Sequence, residues 1–272
     1  MSEGVDLFGA PLRAERKPWY SPSRLKTFFD CPRKYEFSVV RKLPTLPSPH
    51  FDLGTNVHAA LRDWLGLRPS QRTRENLIEF HRAAWRKNRP AFANRSRDEL
   101  RTWGERGNAM LLRYADAVAP DLEPVMIEKL VSADYGDVVV GGRVDRVDEL
   151  PDGSLRVIDY KTGKFPKSPA RFREEDLAAP VYARATSGAF AGTPVSEVEL
   201  QYLESGESLV FTIDEAWQAH KDLAVVSAAN AVRAAEKSQA FEPRPSRLCE
   251  WCDFRQRCPE GKAFLDASPS PR

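Results

Sequence analysis

No stretch of this 272-residue chain approaches membrane-spanning length, which takes about 20 consecutive apolar residues. The start, Met1-Ser2-Glu3-Gly4-Val5-Asp6, has neither a basic segment nor an apolar core. No signal peptide is expected, and a cytoplasmic location is. Cysteine is scarce, at four residues, and in that compartment disulfides are not expected to account for them. No internal repeat is visible, which argues against a solenoid. Net charge is nearly absent at +2, but it is unevenly placed: residues 1–115 carry 22 Lys/Arg against 12 Asp/Glu, and the remainder 19 against 27. A basic first half beside an acidic site suits a polyanionic substrate. Helices with Arg-rich solvated faces would give the same count. A hydrophobic content of 42% supports a packed core, in one large domain or two small ones.

What is present centres on Gly141 to Gly163. Two β-rich runs flank Pro151-Asp152-Gly153, a hairpin signal. Strand alternation puts Leu155, Val157, Asp159 and Lys161 on one face and Ile158 and Tyr160 on the other. Asp145 falls at a comparable level on the partner strand, so Asp145, Asp159 and Lys161 can converge. Two carboxylates can hold a hard divalent cation, which activates water and neutralises phosphate charge. A lysine two residues after an acid can orient the attacking water or stabilise transition-state charge. This is the chemistry of phosphodiester hydrolysis, although a solvated surface hairpin would carry the same residues.

Around that hairpin, residues 1–20 read as a loose tail. Ser21-Pro22 opens a helix with Leu25, Phe28 and Phe29 inward, broken at Cys31-Pro32. Residues 43–49 read as a loop. A helix over 52–65 places Gly54, Val57, His58, Leu61 and Leu65 on one face; His58 is there a core histidine or a metal ligand. Helices follow from Thr73 to about Asn88 and, opened by a Ser96/Glu99 capping box, through Val118. They carry Arg72, Arg74, Arg82, Arg86, Lys87, Arg89, Arg95, Arg97 and Arg101, some of which could line a nucleic-acid path. Trp64, Trp85 and Trp103 suit stacking on bases, but helical spacing favours the core for most of them. A strand over 124–131 carries Glu128, either a third acidic ligand or a solvent-facing residue. Asp176 caps a helix through about Ser187. Strands at 195–203 and 207–213 flank Glu204-Ser205-Gly206. Asp214 caps a long helix to about Lys237, with His220, Leu223, Ala224, Ser227, Ala228 and Ala231 expected as its packing stripe.

The cysteines form Cys249-x2-Cys252-x5-Cys258-Pro259 plus the remote Cys31. Four thiolates suit a single four-cysteine site holding zinc or a 4Fe–4S cluster. Three clustered ligands, one remote ligand and a following proline favour the cluster, which would staple the two chain ends together.

Taken with Ser21-Pro-Ser-Arg-Leu, Cys31-Pro-Arg-Lys-Tyr, Gly54-Thr-Asn-Val-His58, Glu128, Gly142-Arg-Val-Asp-Arg146 and Asp159-Tyr-Lys-Thr-Gly163, these motifs resemble the RecB-family exonucleases of the PD-(D/E)-x-K nuclease superfamily. The chain is most similar to their iron–sulfur branch, related to the AddB nuclease domain and the iron–sulfur nucleases of CRISPR adaptation. The resemblance runs from about Ser21 to Lys262, within a domain of 21–262 followed by a tail at 263–272. It implies an α/β restriction-endonuclease-like mixed sheet flanked by helices, with a helical insertion at 66–120 and a cluster-binding segment at 246–260. It implies that His58, Asp145, Asp159 and the Tyr160 carbonyl bind Mg2+ or Mn2+, that Glu128 supports them, and that Lys161 is catalytic. Cys31, Cys249, Cys252 and Cys258 would hold a 4Fe–4S cluster. Its substrate would be DNA, as single strands or ends, with a helicase or other repair protein as a further partner. The family usually carries Gln-x-x-x-Tyr after the lysine strand; here Tyr182 is present but Ala178 stands at the Gln position. That departure leaves room for a non-catalytic DNA-binding or scaffold subunit.

Overall fold

The structure, a computed structural model, describes residues 16–45, 48–88 and 95–267. Residues 1–15 of the expected tail, Leu46-Pro47 of the expected loop, Arg89, and 268–272 lie outside the described residues. The fold is mixed α/β: a six-stranded mixed sheet flanked by helices.

In chain order, β1 (Trp19–Tyr20) leads into α1 (Pro22–Asp30), α2 (Pro32–Tyr35) and a π-helical turn at Glu36–Val40. Next come α3 (Pro49–Leu65), α4 (Arg74–Lys87) and α5 (Arg97–Ala117). Strands β2 (Met126–Asp134), β3 (Val139–Glu149) and β4 (Leu155–Lys161) precede α6 (Pro169–Glu175) and α7 (Ala178–Ala189). Then follow β5 (Val195–Tyr202), β6 (Glu207–Thr212), α8 (Glu215–Ser238) and α9 (Pro259–Ala267). The expected caps at Ser21, Ser96 and Asp214 are observed, whereas the N-cap of α7 is Leu177 and not the expected Asp176. Ser21, Thr73 and Asp214 accept from the third residue on, and Ser96/Glu99 forms its capping box. Each such cap satisfies an amide that a helix start leaves without an intrahelical partner.

β3 organises the sheet. It runs antiparallel to β2 over almost its whole length. Its other edge is shared: β1 pairs in parallel at Val139 and Val140, and β4 pairs antiparallel from Arg146 to Glu149. β4 then runs parallel to β5, which forms a hairpin with β6. One face of the sheet, with Leu155, Val157 and Val198, packs on Ala179 and Ala183 of α7. The other, with Ile158 and Tyr160, packs on Leu53, Val57, Leu77, Leu111 and Tyr114 of α3, α4 and α5. The period-two assignment of β4 is therefore the observed one. A third apolar cluster joins α1, α2 and α8, and within it Glu236 accepts from both Tyr20 and Tyr35 at 2.7 Å.

Several expectations are corrected. Trp19–Tyr20 belong to the sheet rather than to a loose tail, because Tyr20 is anchored in the core by Glu236. α3 begins at Pro49, three residues early, since proline is tolerated in a first helical turn and Ser48 caps it. Helices α6 and α9 were not expected, and α9 runs to Ala267, into the expected tail at 263–272. Phe29 is 40% exposed at the rim. The α8 stripe is displaced by one position: Lys221, Val225, Ala228, Ala229, Val232 and Ala235 are buried, whereas Leu223 is exposed. The buried lysine is the reason. Its ammonium donates to the Arg173 and Glu174 carbonyls, so a charged residue lies on the inner face, where a polarity pattern does not place one.

Gly107 carries a prediction. Alanine is normally about 1 kcal/mol better than glycine inside a helix. At Gly107, however, a Cβ would meet His81 Cε1 at 2.4 Å. His81 is buried and fixed on both sides, with Nδ1 2.8 Å from Asn108 Oδ1 and Nε2 accepting from Trp85 Nε1 at 2.8 Å. It cannot yield freely, so Gly107→Ala is expected to lower stability by about 1–3 kcal/mol. Thermal denaturation would read this as a fall in Tm; a rise would refute the packing argument.

Candidate functional site

β3 and β4 part company just where the acids lie. Their last paired residues are Arg146 and Ile158, so Asp145 and Asp159 sit at the mouth of a fork. β4 continues past it paired with β5, Asp159 opposite Leu200 and Lys161 opposite Tyr202. Across the fork, Asp145 Oδ2 accepts the Tyr160 backbone N–H at 2.7 Å. A side chain thus takes an amide that an unbroken ladder would satisfy with a carbonyl. The opening leaves both carboxylates buried, at 6% and 8% exposure, without sealing them from the surface.

On the β2 side, Ile127 pairs with Arg146 and Lys129 with Val144, leaving Glu128 between them without a ladder partner. Glu128 has φ +49°, a left-handed conformation costing a non-glycine residue roughly 1–3 kcal/mol. Its carbonyl accepts from Arg143 Nη1 at 2.8 Å. The flanking register sets Glu128 opposite Asp145, and its carboxylate stands beside that residue and His58. From α3, His58 Nδ1 lies 3.1 Å from Asp145 Oδ1 and 3.9 Å from Glu128 Oε1. His58, Glu128 and Asp145 offer ligand atoms all within 4.8 Å of one another. Imidazole nitrogen and carboxylate oxygen form a donor set that fits a divalent cation.

Asp159 is placed differently. Its Oδ2 takes the Lys161 ammonium at 2.6 Å. Burial pushes the Asp159 carboxyl up, against the pull of Lys161. Burial alone would lower the Lys161 pKa, but Asp159 and Asp145 outweigh it and raise it. Lys161 is consequently an ammonium at neutral pH, a donor and not a base. Burial and then the Asp145 charge raise Glu128. Burial opposes a charged His58, yet its hydrogen bond to Asp145 and the three surrounding carboxylates leave its pKa raised.

Tyr182, on α7, closes the site from the other layer. A Cβ at Gly142 would meet its ring at 3.0 Å, so glycine there lets the ring lie against β3. Burial, followed by the charges of Asp159, Asp145 and Asp176, raises the Tyr182 pKa and keeps its phenol protonated. Ala178 opens the same helix, and Asp176 accepts from Ala179 N at 2.7 Å. Asp176, read from the sequence only as a cap, is also half-buried within electrostatic reach of Lys161. A capping role accounted for an aspartate at a helix start, so no sequence signal pointed to the second one.

The basic helices are less available than their composition suggests. Arg72 turns inward onto the carbonyls of Leu65, Leu67 and Leu122. Arg82 and Arg86 pair with Glu79, and Arg101 with Asp98 and Glu105. Trp64 is core, its Nε1 donating to Thr73 O at 2.9 Å.

The four cysteines, all free, line one cavity of about 120 Å³ with Arg33, Lys34 and Arg244. Cys31 lies between α1 and α2, Cys249 and Cys252 in and after a 3-10 turn at Arg247–Trp251, and Cys258 directly before α9. Two of the sulfurs accept from backbone amides. Arg244 N donates to Cys31 at 3.4 Å and Ser246 N to Cys249 at 3.5 Å. Cys258 Sγ donates to Glu260 Oε2 at 3.5 Å. A Cβ at Gly261 would stand 3.3 Å from Cys249 Sγ and 3.4 Å from Cys258 Sγ, so only glycine leaves that wall clear. Burial raises the Cys252 and Cys258 thiols, and the Phe254 and Gly261 amides oppose it. This amide-lined thiol cage fits a group held by four thiolates.

The fork with its Asp…Asp-x-Lys arrangement agrees with comparison to known proteins. A family model described as the PD-(D/E)XK nuclease superfamily matches residues 20–259. The chain belongs to that superfamily, whose members use divalent metals. Among solved structures, a "Putative exonuclease" from Eubacterium rectale is similar at a TM-score of 0.59 and 13% identity, over 97% of this chain and 100% of that one. SSO0001 is similar at a TM-score of 0.43 and 14% identity, over 92% and 89%. No curated protein sequence matches the chain. Among the described residues, no helix is long and apolar enough to cross a membrane.

Proposed function

We propose that this protein is a metal-dependent deoxyribonuclease of the RecB-like, iron–sulfur kind, working as an exonuclease on single-stranded DNA or DNA ends in repair or recombination in the cytoplasm. The observation that carries the reading is the fork, which brings Asp145, Asp159 and Lys161 together beside His58 and Glu128. Mg2+ or Mn2+ would be held by His58, Asp145 and Asp159 with the Tyr160 carbonyl. The short separation of Glu128 from His58 and Asp145 argues for Glu128 as a ligand as well. When bound, the cation supplies Lewis-acid chemistry, activating water and neutralising phosphate charge.

The chain's own groups then act on the scissile phosphate. Asp145 and Asp159 orient the water for in-line attack. Lys161 donates from Nζ to a phosphate oxygen or to that water, countering the charge that builds on phosphorus. The water oxygen–phosphorus bond forms, the bond to the 3′ oxygen breaks, and that oxygen takes up a proton, leaving a 5′-phosphate. Tyr182, a neutral donor, lies on the α7 side of the same carboxylates.

The cysteine lobe would hold a 4Fe–4S cluster on Cys31, Cys249, Cys252 and Cys258. Three clustered ligands, one remote ligand and the proline after Cys258 support this over zinc. Strand separation by a helicase or another repair protein would supply the single-stranded substrate.

The test is digestion of end-labelled linear and circular single-stranded DNA by anaerobically purified protein in Mn2+. Stepwise loss of the linear strand alone, stopped by EDTA, is the expected result. Cutting of the circle would make the enzyme an endonuclease. Binding of DNA without cleavage, with the cysteine-bound group intact, would favour the scaffold reading that Ala178 leaves open.

A further inference from the structure

Behind the fork, on the face opposite the acids, lies a buried polar cluster that the proposed chemistry does not use. Asp145 and Arg146 are neighbours on β3, and Asp159 and Tyr160 are neighbours on β4. Strand alternation therefore turns Arg146 and Tyr160 to the other face when the acids point into the site. There Tyr160 OH lies 2.7 Å from Tyr114 OH of α5 and accepts from Arg146 Nη1 at 3.1 Å. Arg146 Nη1 also donates to Tyr114 OH, and Nη2 meets Asp148 Oδ2 at 3.0 Å. All three residues are buried, and the Tyr114 and Tyr160 rings pack edge to face at 5.3 Å.

We propose that Tyr114 and Arg146 are positioning residues for the metal site: they fix Tyr160, whose backbone N–H in turn holds the Asp145 carboxylate. The inference rests on the metal-site reading given above. The chain of contacts is short and continuous. β3 and β4 have no backbone pairing beyond Arg146 and Ile158, so at this level their separation is set by side chains. On one face the tie is Asp145 to Tyr160 N. On the other it is Arg146 and Tyr114 to the Tyr160 hydroxyl. Removing the second tie frees Tyr160 to shift, and Asp145 Oδ2 loses the donor that orients it. Outer partners of metal ligands typically contribute 10–100-fold in metal affinity. α5, which supplies Tyr114, thereby acts on the site through the sheet without touching substrate.

The experiment titrates Mn2+ into the full chain, reading free Mn2+ by electron paramagnetic resonance. It compares the wild type with Tyr114→Phe, Tyr160→Phe and Tyr20→Phe. Phenylalanine keeps the ring packing and, at 160, the backbone N–H. Tyr20→Phe is the control, because it removes a buried hydroxyl bonded to Glu236, away from the fork. The expected result is a rise of about tenfold or more in the Mn2+ dissociation constant for Tyr114→Phe and Tyr160→Phe. Tyr20→Phe should lower Tm and leave Mn2+ binding unchanged. Wild-type affinity in both fork variants would overturn the proposal, and so would an equal weakening in Tyr20→Phe. Should Tyr114→Phe fail to fold, Tyr160→Phe decides alone. Mn2+ binding by a wild type that cuts no DNA would sink the nuclease reading and leave this one standing.

Discussion

Lys161→Met is expected to reduce Mn2+-dependent DNA cleavage by roughly 10²–10³-fold, the usual cost of deleting one charge-stabilising donor. Methionine is chosen because it keeps much of the stem without the charge. Lys161 is charged at neutral pH, since Asp159 and Asp145 outweigh the effect of its burial. In the proposed mechanism it would therefore act as a positive donor to the transition state. Loss of that donor should show in kcat, with DNA binding nearly unchanged, because an interaction made only in the transition state leaves ground-state affinity alone. Asp159 would be left buried without its 2.6 Å partner, so circular dichroism and Tm must accompany the rates. Initial rates on end-labelled single strands provide the measurement. Undiminished cleavage by a folded Lys161→Met protein would remove Lys161 from the mechanism.

Cys31→Ser is expected to have the largest effect on stability. A group bound to all four cysteines ties Cys31 to residues more than two hundred positions away. By analogy with a disulfide closing so long a loop, it would restrict the unfolded chain by roughly 5 kcal/mol. For a domain of this size that corresponds to about 10–20 °C in Tm. Loss of visible absorbance and of iron and acid-labile sulfide should accompany the fall. Zinc in a colourless wild type would replace the cluster with a zinc staple, since Zn2+ is d10. Normal yield and melting in Cys31→Ser would end the staple idea in either form. The amide donors to the Cys31 and Cys249 sulfurs and the clearance at Gly261 are features that four unrelated thiols would not require.

Much of the site was legible because it is written in short-range pattern. The alternation of Leu155, Val157, Asp159 and Lys161 places the acid and the lysine on one face whatever surrounds the strand. The hairpin turn brings Asp145 level with them. Glu128 was harder. As a strand residue it had two equal readings, and its grouping with His58 and Asp145 depends on the pairing of β2 with β3 and on the approach of α3, which no propensity of glutamate anticipates. The second role of Asp176 and the Tyr114–Arg146–Tyr160 cluster were not legible, since their partners lie on different elements. Along α8, many alanines and one buried lysine left the hydrophobic period ambiguous by one position.

The sequence by itself determined most of the elements, several of their caps, the faces of β4 and the residue types able to hold a metal or a four-thiolate group. These follow from local sterics, side-chain period and donor chemistry, which act over a few residues. Only the tertiary structure decided where β3 leaves β4, how Glu128 reaches the site, and which buried groups stand behind it. Those outcomes depend on the packing of α3, α5 and α7 against the two faces of the sheet. Contacts between residues tens of positions apart are set by the whole core at once, and no local pattern encodes them.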